Sequence, residues 1–138
     1  MSSYIAKLDD SLTPHSNAIK RAFSKAIELA NKKSSDILLI VPMIQTLSHS
    51  ALSDAFGSDI AKKIQKGDLE IGEITLSRTI VKKLSTYQSQ SVFIVLWPSL
   101  IDAEHISANH GTKADIVVCE WGADELERWR KEYKAKII

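Results

Sequence analysis

The chain has little cysteine, little glycine and no excess of charge of either sign, and each shortage excludes a class of protein. Cys119 is the only cysteine in 138 residues, so no disulfide forms within the chain. That suits a reducing compartment. Five glycines and three prolines are too few for a collagen-like or low-complexity chain. The net charge is +1, whereas a dedicated nucleic-acid binder carries a strong basic excess. The lysines cluster only locally, at Lys32–Lys33, Lys62–Lys63, Lys82–Lys83 and Lys131–Lys136. These read as solvated helix ends, where cations suit the helix dipole, so a nucleic-acid partner is not expected. No apolar run approaches the roughly 20 residues of a membrane helix. The opening MSSYIAKLDD lacks the basic start and apolar stretch of a secretory signal. A cytoplasmic protein with no membrane association is expected.

Glycine is also missing where nucleotide enzymes need it. The segment Pro42-Met43-Ile44-Gln45-Thr46-Leu47-Ser48 has none, so it forms neither a phosphate loop nor a dinucleotide fingerprint. This argues against conventional nucleotide hydrolases and dinucleotide oxidoreductases, and no cofactor is expected. Asp102, Glu104, His105 and His110 crowd one helix, but only Asp102 and His105 share a face. Two ligands do not make a metal site. Cys119 sits inside an apolar run and reads as a small buried hydrophobe rather than a nucleophile.

What is present is order in the apolar residues, which with aromatics make up 44% of the chain. Three short runs stand out: Asp36–Pro42, Ser91–Pro98 and Ala114–Trp121. Each is nearly continuous in Ile, Val and Leu, the pattern of strands buried on both faces of a parallel sheet. Each is flanked by helical periodicity. Thr13-Pro14 opens a helix to about Lys33, whose stripe is Ile19, Ala22, Phe23, Ala26, Ile27 and Ala30. Ser99 and Asp102 have capping-box spacing and open another to about Asn109. A final helix follows Asp124, with Leu126, Trp129, Arg130, Tyr133 and Ile137 on one face. Residues 69–84 are ambiguous between strand and helix. They read best as a strand with a bulge near Gly72, ending about Leu76, then a helix from Thr79 to Tyr87.

The expected fold is α/β: a three-layer sandwich, Rossmann-like or flavodoxin-like, with a mainly parallel sheet of about four strands and helices on both faces. Residues 1–138 form one such domain, with 1–12 as a flexible or docking arm. In this architecture ligands bind at the carboxyl ends of the strands. The residues expected there are Ser48, His49, Arg78, Thr79, Ser99 and Glu120. The serines and His49 can cap helices or bind an anion. Arg78 beside two hydroxyls can clamp a phosphate or carboxylate, or simply be solvated. Glu120 can hold a hydroxyl, act as a base or pair with a lysine. Trp97 and Trp121 end corresponding strands and can flank a crevice or close the core's rim.

No complete catalytic constellation is visible. The first functional reading is therefore a non-catalytic module that binds a protein partner or self-associates, with a homodimer favoured by the apolar end Ile137-Ile138. The alternatives are a domain for a small anionic or nucleotide-like ligand, and a small hydrolase or transferase using His49 or Glu120 as base.

Overall fold

A computed structural model describes residues Met1–Ile138. The three apolar runs are strands Ile37–Val41 (β2), Val92–Leu96 (β5) and Asp115–Cys119 (β6), every residue of them buried. They are mutually parallel: β2 pairs β5, and β5 pairs β6. Alternate residues face opposite layers. Ile37, Leu39, Val41, Ile94, Leu96, Val117 and Cys119 join one apolar cluster. Leu38, Ile40, Phe93, Val95, Ile116 and Val118 join the other. Helices Pro14–Lys33 (α1), Ser50–Phe56 (α2) and Ser58–Lys66 (α3) cover the first face through Ile19, Phe23, Leu52 and Ile64. Helices Leu100–His110 (α4) and Glu127–Glu132 (α5) cover the second through Ile106 and Trp129. The expected three-layer α/β sandwich is the fold.

The sheet is larger than four strands. It has seven, in the order β3-β4-β2-β5-β6-β1-β7. Ser3–Ala6 is β1, lying parallel between β6 and the short Lys136–Ile137 strand β7. The apolar chain end thus docks on the same molecule: Ile138 donates its amide to Ile5 O at 2.9 Å. The last helix stops at Glu132, well short of Ile137, because Lys134 turns left-handed at φ +53 and the chain re-enters the sheet.

Residues 69–84 hold no bulge and no helix at 79–87. Leu69–Ile71 (β3) and Ile74–Ile80 (β4) form an antiparallel hairpin, with Ile71 opposite Ile74. Gly72 takes the first turn position at φ +62, a conformation that suits glycine in a two-residue hairpin loop. The apparent one-residue slip in the pattern is the chain reversing. β4 then runs parallel to β2 as far as Ile80, and only a short 3-10 turn, Val81–Lys83, follows.

This topology positions the site. After β2 the chain turns to α2 and α3 on one face; after the adjacent β5 it turns to α4 on the other. After β6 it goes to α5, while the adjacent β1 leads to α1 on the opposite face. Such reversals open crevices at the carboxyl ends of strands.

Candidate functional site

Two adjoining recesses line that edge. The first lies at the ends of β2 and β4, with a volume of about 480 Å³. Its walls include Arg78, Thr79, Lys82, Lys83, Met43 and Gln45, and no carboxylate. None of the three cations takes part in an ion pair. Arg78 is half-buried and braced: its Nε and Nη2 donate to the Gln65 carbonyl at 3.3 and 2.9 Å. Gln65 is in the last turn of α3, where carbonyls lack helical partners. The same guanidinium therefore caps α3 and presents its remaining N–H groups elsewhere. Lys82 and Lys83 are exposed on the 3-10 turn. They were expected at a helix end; the turn instead brings them to the recess.

The second recess, about 350 Å³, shares Met43 and Gln45 with the first and continues past Thr46, Ser48 and His49 to Trp97 and Trp121. At this edge the connections after β2, β5 and β6 each supply one aromatic ring, and the first turn of α1 supplies a fourth. His15 follows β1, His49 follows β2, Trp97 follows β5 and Trp121 follows β6. The rings meet: His15 to Trp121 at 4.4 Å, His49 to Trp97 at 4.8 Å and Trp97 to Trp121 at 4.8 Å between centroids. His15 Nε2 also bonds the Trp121 carbonyl at 2.8 Å. His49 caps α2, its Nδ1 accepting from the Ala51 amide at 3.0 Å. Trp97 sits at φ +51, a conformation costly for a bulky side chain. Its Nε1 is buried with no acceptor in the protein.

Of the six residues singled out in the sequence, Arg78 and Thr79 line the first recess, and Ser48 and His49 the second. Ser48 Oγ donates to the Gln45 carbonyl at 2.7 Å. Ser99 caps α4, accepting from the Asp102 amide at 3.1 Å, and lines neither recess. Glu120 is 1% exposed. Its two oxygens accept from the amides of Leu8 at 3.0 Å and Asp124 at 3.3 Å, tying the loop after β1 to the loop after β6. Close by, Lys7 bridges Asp124 and Glu127, and Arg130 grips Glu127. Arg130, then Lys7, holds the Glu127 carboxyl down at about 2. Cys119 is fully buried, and burial pushes its thiol up to about 12, so no thiolate forms at neutral pH. Sequence reading missed Lys82, Lys83 and His15 as site residues. No spacing rule joins positions 15, 49, 97 and 121; only the sheet order does.

No protein-family model matches the chain, and no curated protein matches it. Among solved structures, the crystal structure of the HK97 bacteriophage large terminase is similar, with a TM-score of 0.50 and 13% sequence identity. The match covers 96% of this chain and 32% of that one, so the chain spans about a third of the terminase's length. At that identity the likeness is one of fold, and it agrees with the α/β architecture described above.

Proposed function

We propose that this domain binds a small anionic, phosphate-bearing ligand at the carboxyl ends of β2 and β4. One observation carries the reading: a recess of about 480 Å³ walled by Arg78, Lys82 and Lys83, free of carboxylates and of ion pairs. That volume is ordinary for a small-molecule site. A guanidinium held in place loses little freedom on gripping an oxyanion, and its fork geometry matches phosphate. Thr79 and Gln45 add neutral hydrogen-bonding groups to the same walls. The absence of a glycine loop means that side chains, rather than a backbone cradle, do the gripping.

Self-association has weaker support. The wholly apolar cleft among Phe23, Ile27, Phe56, Ile60, Leu69 and Ile71 measures about 210 Å³, room for roughly one large side chain. A stable interface needs about 800 Å² from each partner.

The test is calorimetric titration with inorganic pyrophosphate at low salt. The double variant Lys82→Ala/Lys83→Ala should lose about 2 kcal/mol of binding, the scale of charged hydrogen bonds. Lys62→Ala/Lys63→Ala, which removes equal charge from an exposed part of α3, should bind as the wild type does. Equal losses in both pairs would reduce the effect to net charge and refute the site.

A further inference from the structure

We infer that the ligand is a nucleotide, its phosphates in the Arg78–Lys82–Lys83 recess and its base against Trp121 in the adjoining aromatic groove. This rests on the anion-binding reading and adds the identity of the non-phosphate part. The two recesses adjoin, with Met43 and Gln45 lining both. A ligand anchored in one therefore has its remainder directed along the other or out into water. The second recess is built for a flat group. Trp121 remains 45% exposed even though His15 packs at 4.4 Å and Trp97 at 4.8 Å. His49 packs against it too, at 5.5 Å; a tryptophan fixed by three neighbours yet partly open to solvent is a stacking platform, and base–aromatic stacking tolerates any base.

The residues that line the groove also carry polar groups. Trp97 Nε1 is a buried donor with no acceptor in the protein, and buried donors are rarely left so. Because His49 Nδ1 accepts from Ala51, its other ring nitrogen is left as the donor. Gln45, Thr46 and Ser48 add both donors and acceptors. Nucleobases and ribose hydroxyls offer acceptors to match; a bare inorganic anion or a sugar phosphate lacks the flat ring that Trp121 would hold. The left-handed backbone at Trp97 points the same way, since strained conformations concentrate at binding sites.

The experiment compares three probes on the full chain: inorganic pyrophosphate, ADP and UDP. Titration should show at least one nucleotide binding about tenfold or more tighter than pyrophosphate. Nucleotide binding should quench tryptophan emission, and pyrophosphate should not. In Trp121→Ala the nucleotide-to-pyrophosphate affinity ratio should fall to near one; in Trp121→Tyr, which keeps a stacking ring, most of the ratio should survive. If ADP and UDP bind no tighter than pyrophosphate, the base-stacking inference is overturned while the anion site stands. If neither nucleotides nor pyrophosphate bind, both fail. A ratio unchanged in Trp121→Ala would also overturn it, since the preference would then arise elsewhere.

Discussion

Glu120→Ala should cost about 3 kcal/mol of stability and leave ligand affinity per folded molecule unchanged. The Glu120 carboxylate is 1% exposed and accepts two backbone amides, Leu8 N at 3.0 Å and Asp124 N at 3.3 Å. A hydrogen bond to a charged group contributes about 1.5–3 kcal/mol, and a buried donor stripped of its acceptor costs about 1–3 kcal/mol. Both bonds are only partly buried and the second is long, so a total at the bottom of the summed range of about 3–6 kcal/mol, about 3 kcal/mol, follows. With about 2.1 cal/mol/K of unfolding entropy per residue, 138 residues give about 0.3 kcal/mol/K. The melting temperature should therefore drop by about 10 °C. Glu120→Gln keeps one carbonyl oxygen but turns a donor toward a second donor, so it should lose roughly half as much. Thermal and urea unfolding followed by circular dichroism measure both. A Glu120→Ala protein that melts with the wild type but no longer binds ligand would refute this reasoning and return Glu120 to the binding residues.

Val95 is 1% exposed between the sheet and α4, so Val95→Ala should cost about 1–3 kcal/mol in urea unfolding. Arg78→Ala should lose about 1 kcal/mol of stability, because it removes the brace on the Gln65 carbonyl, and should weaken pyrophosphate binding as well; Arg78→Lys should not restore the binding. Burial, with smaller contributions from Lys113 and His105, lowers the His110 pKa below its ordinary 6.5. The unfolded chain then binds a proton more readily than the folded one, so stability should fall as pH drops below about 6.5. Unfolding midpoints measured from pH 7 to 5 should show this decline, and His110→Gln should flatten it.

The central strands were legible because burial on both faces leaves no polar residue in Ile37–Val41, Val92–Leu96 or Ile116–Cys119. β1 was not, since Ser-Tyr-Ile-Ala is four residues long and its place in the sheet is set by distant β6. The second half of β4 was obscured because Ser77 to Ile80 are only half-buried, while Leu76, Ile80 and Leu84 happen to fall at helical spacing. Tertiary pairing with β2 overrides that local pattern. At the site, Arg78 and Thr79 were readable as polar residues at a strand end. The contribution of Lys82 and Lys83 was not, because a lysine pair looks the same on a solvated helix end and on a turn at a recess. The four-ring cluster is a product of strand order, which the sequence does not state.

Amide chemical-shift mapping with inorganic pyrophosphate tests the proposed anion site most directly. The expected result is a set of saturable shifts at Gln45, Thr79, Lys82 and Lys83, with the Arg78 side-chain Nε–H moving in step. Shifts confined to the opposite edge of the sheet, around Ser35 and Ser91, or to the outer face of α5, would contradict it.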